Sequence, residues 1–376
     1  MRRTDWPKRL TGLDVSRAFA SLAVVLFHWP HLAGALAVDD DLKLRVSQPF
    51  YGVFKLFYES GHLGVQYFFL LSGFIFFWLY NESIRGRKTS VSVFWIQRFS
   101  RLYPLHFITL VMVAVLQLVY VSRVGDYFVY GHNDLYHFVL HLGFASAWGI
   151  HEGWSFNHPV WSVSIEVVLY AGFFVMAFLG LGRKYLCLLA SCGAMGLSPY
   201  FSNPVFVGAA MFFFGGFILH VISEEKGSDR RALIIVSLVA SISWVLVFLN
   251  VYVINFTEWL SPLDLFGLRL DRLFVQYILF SSTVAALALW EIHRGELLGR
   301  LSWMGNITYS TYLLHFPLLL TFALLYRFGW LPENFYLRPL FLVLFFLILI
   351  PASYSVYIKI ERPTQNWLRA KLGRSK

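Results

Sequence analysis

A histidine lies deep inside the first long apolar segment of the chain, and an arginine precedes it by eleven residues; they are His28 and Arg17. An ionisable side chain in the hydrocarbon core of a membrane is costly, so a histidine there indicates a functional site. Eleven residues turn an α-helix by about 1100°, which is three turns and about 20°, and advance it by about 16 Å. Arg17 and His28 therefore share one helix face, with a cation near the membrane surface and a reactive imidazole well inside.

Glu166 is a second ionisable residue inside an apolar segment, the fourth along the chain. Measured from the expected outer ends of their helices, Glu166 and His28 both lie at a depth of about 9–10 Å. If the two side chains meet, the carboxylate fixes the tautomer of the imidazole and raises its basicity. The alternative is a carboxylate that only forms hydrogen bonds between helices. We expect both residues to be catalytic, because a buried ion in lipid is so costly.

Arg98 and Arg101 stand at the expected start of the third apolar segment, three residues apart. Residues at this spacing share a helix face, and guanidinium groups suit phosphate oxygens. Together with Arg17 they are expected to bind a phosphorylated ligand at the cytoplasmic side. The alternative for this pair is the ordinary enrichment of arginine at the cytoplasmic ends of membrane helices.

His315 lies about nine residues into the ninth apolar segment, two residues before Pro317. Proline lacks an amide hydrogen and frees a backbone carbonyl one turn earlier, so the pattern predicts a kinked helix. His315 either takes part directly in the site or only packs through a hydrogen bond.

The segment between the third and fourth apolar stretches is rich in histidine. His137 and His141 are four residues apart and have the spacing to share a metal on one helix. The chain contains no His-Glu-x-x-His motif, so we expect interfacial histidines and no metal. Phosphate-binding loops, dinucleotide fingerprints and a serine-histidine-aspartate arrangement are also missing from the sequence.

The elements that must position these residues are apolar. The 376 residues are 58% hydrophobic and 14% charged, whereas soluble domains contain about 25% charged residues. Because a helix needs about 20 apolar residues to cross a membrane, the sequence predicts an all-α polytopic membrane protein with about ten transmembrane helices. We place these spans at 13–35, 63–82, 104–122, 160–181, 185–200, 204–222, 232–254, 273–292, 306–326 and 338–359.

The distribution of the residues that give the net charge of +10 agrees with this transmembrane topology. Most of the 31 lysines and arginines fall in alternate connecting segments, which is the pattern of cytoplasmic loops, so both termini are expected in the cytoplasm. The excess charge therefore reflects orientation and contact with anionic membrane lipids rather than nucleic acid. We expect one membrane-embedded domain over 1–376, with its core at about 10–360, a short basic cytoplasmic tail at 361–376 and no fused soluble domain.

Five short motifs follow one another along nearly the whole chain. They are Leu13-Asp14-x-x-Arg17 with His28, Gly64-Val65 with Ser72-Gly73-Phe74, Arg98-x-x-Arg101-Leu-Tyr-Pro104, Trp161-Ser162 with Glu166, and Tyr309-Ser310-x-Tyr312-Leu313-x-His315-x-Pro317. In this order they resemble the acyltransferase 3 family, the bacterial integral-membrane O-acyltransferases that modify surface glycans.

The resemblance implies a role for each matched residue. His28 corresponds to the essential histidine, which acts as a general base or a transient acyl carrier, and Glu166 to the acidic residue that assists it. Arg17, Arg98 and Arg101 correspond to the arginines that bind the donor. The implied donor is an acyl-CoA, commonly acetyl-CoA, supplied from the cytoplasm of a bacterium whose inner membrane holds the multi-pass chain.

The acceptor is expected to be a hydroxyl of an extracytoplasmic or lipid-linked glycan. Candidate acceptor-binding residues are Trp161, Ser162, His158, Tyr309 and His315. A different class, a transporter or flippase for a lipid-linked glycan, fits the composition equally well. However, the chain lacks the paired halves with broken helices that are common in transporters. Association into a homo-oligomer is left open.

Overall fold

The computed structural model of the chain describes residues 6–7, 9–34, 42–201, 203–224, 230–255, 264–265 and 267–372. These residues are mostly helical, with irregular segments between some of the helices. The helices are α1 (Thr11–His28), α2 (His31–Gly34), α3 (Leu42–Val46), α4 (Tyr51–Ser60), α5 (Leu63–Leu79), α6 (Asn81–Arg85), α7 (Val91–Val124), α8 (Leu135–Leu142), α9 (Trp161–Phe178), α10 (Lys184–Leu197), α11 (Pro204–Glu224), α12 (Arg230–Leu249), α13 (Leu270–Leu273), α14 (Phe280–Arg294), α15 (Ser302–Arg327), α16 (Pro339–Val356) and α17 (Arg362–Leu372). Two short strands, Asp264–Leu265 and Leu268–Arg269, pair antiparallel.

The prediction of an all-α polytopic membrane protein is confirmed, with a smaller number of full spans than the sequence suggested. Within the described ranges, seven helices are long and apolar enough to cross a membrane. A bent pair, Tyr51–Ser60 with Leu63–Leu79, makes an eighth span if its two helices, inclined at 62°, cross together. The seven are Val91–Val124, His158–Phe178, Pro204–Glu224, Arg230–Ile254, Leu270–Arg294, Gly299–Arg327 and Pro339–Leu372.

Each of the other two predicted spans contains a helix that does not qualify as a full span. Helix α10 has 14 residues, and its length of about 21 Å falls short of a hydrocarbon core of about 30 Å. Helix α1 has 18 residues and carries Asp14, Arg17 and His28, which lower its hydropathy. The acidic run Asp39, Asp40 and Asp41 lies outside the described residues.

The third predicted span begins earlier than expected. Helix α7 starts at Val91, where the Ser90 hydroxyl accepts a hydrogen bond from the Val93 amide at 3.3 Å. Arg98 and Arg101 therefore lie two to three turns inside the helix and do not open it. The predicted span at 104–122 lies within this longer helix, because a serine cap initiates a helix that continues through the proline.

The described chain groups into two compact units. The first comprises Met1–Ala20, Leu63–Thr89 and Glu166–Gly305, and the second comprises Ser21–His62, Ser90–Ile165 and Asn306–Lys376. Helices α1, α9 and α15 each contribute residues to both units.

In the first unit, glycines allow α5 and α11 to approach closely. A Cβ on Gly73 would lie 1.8 Å from the carbonyl oxygen of Phe212, and one on Gly215 would lie 2.0 Å from that of Leu70. Any side chain at either position would force the two helices apart. Small residues at such crossings are typical of membrane helix packing.

The start of α1 is anchored within the same unit by a buried carboxylate. Glu291 accepts hydrogen bonds from the Thr11 hydroxyl at 2.5 Å and from the Gly12 amide at 3.0 Å. These donors belong to the first turn of the helix, whose amides lack intrahelical partners. Glu291 thus holds the helix that carries Arg17.

In the second unit, a hydrophobic core forms around α15 and α16. Trp29, Phe316, Leu320, Phe335 and Phe345 are buried together in this core. The indole nitrogen of Trp29 donates a hydrogen bond to the carbonyl of Tyr336 at 2.9 Å, so its polar atom is also satisfied. This packing fixes the residues that follow His28 against the segment around Phe316.

Pro317 lies inside α15, as the sequence predicts, and its missing amide has a specific consequence. The carbonyl of Leu313, one turn earlier, loses its helical donor. The side-chain amide of Asn157 supplies the replacement hydrogen bond at 3.1 Å. Asn157 is fully buried, so it ties the segment before α9 to the turn of α15 that precedes Pro317.

Replacing Asn157 by leucine should destabilise the protein by about 1–3 kcal/mol, because the Leu313 carbonyl is left buried without a donor. In a Pro317→Ala background the new amide can bond to that carbonyl, so the same change should cost less. Apparent melting temperatures of the single and double variants in detergent measure the difference. Equal losses in the two backgrounds would contradict this role of Asn157.

Candidate functional site

Two histidines that are 287 residues apart in sequence meet in the second unit. The Nε2 atom of His315 lies 3.2 Å from Nδ1 of His28. His28 is 8% exposed and His315 is fully buried. Helix α1 supplies His28 as its last residue, and α15 supplies His315 two residues before its proline. The structure thus brings together two of the site residues named from the sequence.

The hydrogen bonds of this pair determine its tautomers. Nδ1 of His315 lies 2.5 Å from the backbone carbonyl of Tyr312, which can only accept, so Nδ1 carries the proton. In a neutral ring the other nitrogen, Nε2, then holds a lone pair. That lone pair accepts a hydrogen bond from the protonated Nδ1 of His28. His28 is left with an unprotonated Nε2, which is the atom that a general base or a nucleophile needs.

Tyr312 also connects this pair to the start of α9. Its hydroxyl donates to the carbonyl of Pro159 at 2.7 Å and lies 2.8 Å from the Ser162 hydroxyl. Ser162 is buried, whereas its neighbour Trp161 is partly exposed. The tyrosine therefore holds the Trp161-Ser162 step close to the backbone that positions His315.

Tyr309 and Ser310, one turn before Tyr312, bond to other helices of the second unit. The Tyr309 hydroxyl donates to the Leu102 carbonyl of α7 at 2.6 Å. The Ser310 hydroxyl donates to the buried carboxylate of Glu361 at 2.7 Å. Tyr309, expected to contact the acceptor, thus bonds to backbone next to Arg101.

Near Arg98 and Arg101 the structure adds an arginine that the sequence motifs did not single out. Arg369 of α17 donates from Nε to the Ser100 hydroxyl and from a terminal nitrogen to the Gln97 carbonyl, each at 3.3 Å. Arg98 is buried and Arg101 is partly buried. Three guanidinium groups are therefore carried by one short stretch of α7 and the helix that packs on it. In the sequence, Arg369 was only part of a basic tail.

Arg17 belongs to the first unit, and its guanidinium is held in place. It donates to the Asp14 carboxylate at 3.1 Å and to the Gly305 carbonyl at 2.8 Å. A Cβ on Gly305 would lie 2.5 Å from the Asp14 Cβ, so glycine permits this approach. Asp14 of the first motif therefore orients the arginine of the same motif.

Glu166 also belongs to the first unit, where its carboxylate accepts a hydrogen bond from Ser72 at 2.7 Å. Ser72 is part of the Ser-Gly-Phe motif, so two sequence motifs meet here. The direct pairing of Glu166 with His28 stays a prediction. The described partner of His28 Nδ1 is His315.

Among the described residues, a cluster that could hold a metal differs from the pair that the sequence spacing suggested. His132, Asp134 and His137 each offer one ligand atom, and these atoms lie within 4.8 Å of one another. Two imidazoles and a carboxylate are a donor set that suits zinc. The backbone amide of His137 bonds to Asp134 and holds the pKa of that carboxylate below its usual range.

His141, the other member of the predicted pair, bonds to a residue outside this cluster. Its Nε2 lies 3.1 Å from the Ser155 hydroxyl, and its ring is 6.3 Å from that of His106. Burial lowers the pKa of His141 to about 3, and His106 lowers it further. His141 is therefore a neutral packing residue at physiological pH.

His158 lies in the tight turn that leads into α9. Its ring centroid is 4.6 Å from that of Tyr130 and 4.2 Å from that of Trp154. The structure thus places this expected acceptor-binding residue among aromatic rings. Tyr130 and His31, whose ring is 5.0 Å from that of His28, had no signal in the sequence.

The fold is that of an all-α polytopic membrane protein, and its buried histidine pair is suited to acid–base or acyl-transfer chemistry. A family model described as an acyltransferase domain matches residues 10–358. The chain therefore belongs to the acyltransferase 3 family, and the resemblance drawn from the five motifs is confirmed.

Similarity to a characterised relative is confined to part of the chain. The acyltransferase MdmB of Streptomyces mycarofaciens is 32% identical over 117 residues, which cover 30% of this chain and 27% of that protein. The chain thus matches about a quarter of the length of this relative. No solved structure matches it.

Proposed function

We propose that this protein is a membrane O-acyltransferase, which moves an acyl group from cytoplasmic acyl-CoA to a hydroxyl of an extracytoplasmic or lipid-linked glycan. Acetyl-CoA is the proposed donor, and the bacterial inner membrane is the proposed location. Family membership supports acyl transfer. The observation that carries the proposal is the His28–His315 pair, because it leaves an unprotonated Nε2 on a buried imidazole.

The proposed reaction requires one proton acceptor. His28 Nε2 takes the proton of the acceptor hydroxyl while the oxygen attacks the thioester carbonyl. The new C–O bond forms, the C–S bond breaks, and the proton passes from His28 to the departing sulfur, which gives an ester and free CoA. In the alternative sequence, Nε2 first carries the acyl group and then releases it to the hydroxyl.

His315 is a positioning residue in this scheme, since it touches His28 and not the reacting atoms. Its role is to hold the proton of His28 on Nδ1 and to accept part of the positive charge that develops on the ring. Glu166 is the proposed second catalytic group, in keeping with its motif. Its described hydrogen bond is to Ser72.

Arg17, Arg98 and Arg101 are the proposed phosphate-binding residues for the CoA donor. Guanidinium groups bind phosphate oxygens through two parallel hydrogen bonds. Arg369, which bonds to the same stretch of α7 as Arg98, is a proposed addition to this set. Ser162, His158 and Trp161 are assigned to the acceptor, and no step requires a metal.

Arg98→Ala should raise the KM for acetyl-CoA about 10–100-fold, because a hydrogen bond to a charged group contributes about 1.5–3 kcal/mol. Arg98→Lys, which keeps the charge but loses the forked geometry, should fall between the wild type and Arg98→Ala. The matched control is Arg85→Ala, since Arg85 is exposed and pairs with Glu82. Initial rates at varied acetyl-CoA measure the effect, and an unchanged KM would assign Arg98 to membrane topology.

Incubation of the purified protein with acetyl-CoA labelled in the acetyl group tests the proposed function. An acyltransferase releases free CoA thiol in proportion to the ester formed in the presence of an envelope glycan fraction. A flippase moves its lipid-linked substrate without consuming the thioester. Glycan-dependent thiol release supports acyl transfer, and its absence in a folded preparation would overturn it.

A further inference from the structure

Three side chains that can bind a metal lie together in the second unit, in the segment between α7 and α9. They are His132, Asp134 and His137, and we name them the His–Asp cluster; their ligand atoms lie within 4.8 Å of one another. Nδ1 of His137 is 2.9 Å from both oxygens of the Asp134 carboxylate. Two ligand atoms on one tetrahedral zinc ion are about 3.4 Å apart, because zinc bonds to nitrogen and oxygen are about 2.0–2.2 Å long. Small rotations of these side chains therefore suffice to place all three on one ion.

The backbone around the His–Asp cluster holds its side chains in position. The Asp134 carboxylate caps α8 by accepting a hydrogen bond from the His137 amide at 2.9 Å. The amide of His132 donates to the carbonyl of Trp154 at 3.4 Å. A Cβ on Gly153 would lie 2.1 Å from Cδ2 of the His132 ring, so a glycine at this position allows the backbone to cover one edge of the imidazole. Ligand atoms held in advance lower the cost of binding an ion.

The charge and exposure of the His–Asp cluster suit a cation that arrives from solution. The hydrogen bond from the His137 amide lowers the pKa of Asp134, so the carboxylate is ionised at neutral pH. The Asp134 side chain is 54% exposed, and His132 is exposed as well. His137 is buried. An ion can therefore enter past the two exposed ligands and bind against the buried one.

The hydrogen bonds of His137 show which atom an ion would replace. Its Nδ1 faces a carboxylate, which can only accept, so Nδ1 carries the proton. Its Nε2 accepts a hydrogen bond from the Glu152 amide at 3.3 Å. A zinc ion bound between the ring and Asp134 takes the place of the Nδ1 proton. That proton moves to Nε2, the ring stays neutral, and the Glu152 amide gives up its long hydrogen bond.

We infer that the His–Asp cluster binds one zinc ion, which links the loop before α8 to the first turn of that helix. Imidazole and carboxylate ligands suit zinc, whereas magnesium prefers six oxygen ligands. Three protein ligands leave a fourth position for water. The spacing of His137 and His141 had led us to expect no metal, but His141 bonds to Ser155 instead. The inferred site has a structural role, and it does not depend on the proposed acyl transfer.

Zinc binding by the purified full chain tests the inference, after removal of any affinity tag and treatment with a chelator. Isothermal titration calorimetry should give one zinc ion per chain. Zinc should also raise the apparent melting temperature, because a ligand that binds only the folded state stabilises it.

Two variants of exposed ligands make the test specific. His132→Ala and Asp134→Asn should each weaken zinc binding by more than about 100-fold, since the loss of even an outer-shell partner costs about 10–100-fold. Asparagine still caps a helix, so Asp134→Asn should fold and melt like the metal-free wild type. The control is His293→Ala, which removes a histidine of the first unit and should bind zinc as the wild type does.

Three results would overturn the site or its ligands. Failure of the folded wild type to bind zinc would overturn the site, and so would equal zinc affinity in the wild type and both ligand variants. Displacement of zinc by an excess of magnesium would overturn the imidazole ligands. Zinc binding that is lost in both ligand variants and kept in His293→Ala supports the inference, whether or not the protein transfers acyl groups.

Discussion

His28→Ala should lower kcat for acyl transfer by about 10²–10⁴-fold, since that is the typical contribution of a positioned acid–base group. The KM for acetyl-CoA should change little, because the proposed phosphate contacts come from arginines. The hydrogen bond to His315 fixes the tautomer of His28 and leaves its Nε2 unprotonated and free to react. The loss of His28 therefore removes both the proton acceptor and any acyl carrier.

The control for this variant is His293→Ala, which removes a different histidine, one that is partly buried in α14. Both proteins should elute as folded protein and melt within a few degrees of the wild type. His293→Ala should retain its activity. Full activity in a well-folded His28→Ala preparation would contradict a catalytic role for His28.

His315→Phe should lower kcat about 100-fold with an unchanged KM for acetyl-CoA, because the proton of His28 is then no longer held on Nδ1. His315→Gln should recover much of this loss. A glutamine amide oxygen accepts the same hydrogen bond that Nε2 of His315 accepts in the wild type. Recovery by glutamine but not by phenylalanine separates positioning from packing.

Steady-state rates of the two His315 variants provide the measurement. A purely structural role predicts similar losses for glutamine and phenylalanine, together with lower melting temperatures for both. Equal kcat values in the two variants would therefore contradict the positioning role of His315. Its bond to Tyr312 would then be a packing contact only.

Much of the fold follows from hydropathy alone. Every segment predicted to span the membrane contains a helix, because burial in lipid requires long apolar runs. The exact starting points and bends of the helices could not be predicted from hydropathy. Helix α7 passes through Pro104 because Ser90 caps it earlier, and α4 and α5 bend by 62° within one apolar region. Both features depend on local hydrogen bonding and packing that hydropathy does not report.

The sequence identified individual residues of the candidate site, but it did not predict how they are arranged in space. A solitary histidine in an apolar segment identified His28, and the proline pattern drew attention to His315. Their contact depends on which helices pack together, and no spacing rule connects residues 287 positions apart. The same holds for the bond of Glu166 to Ser72. The depth of a residue along its helix gave no information on which neighbouring helix its side chain faces.

Some residues carried only a weak signal in the sequence. Arg369 resembled the other cations of a basic cytoplasmic tail, although the amphipathic pattern of α17 indicates a helix that packs on its neighbours. Tyr130 and Trp154 resembled ordinary interfacial aromatics. Their positions beside His158 became meaningful only once the segment between α7 and α9 was folded.

The most direct measurement counts ester formed against CoA released when the wild type, His28→Ala and His293→Ala react with labelled acetyl-CoA and an envelope glycan fraction. We expect one hydroxylamine-sensitive ester for each CoA released by the wild type and by His293→Ala, and neither product above background from His28→Ala. Label that stays on CoA with the wild type, or ester formed by His28→Ala at the wild-type rate, would contradict histidine-dependent acyl transfer by this protein.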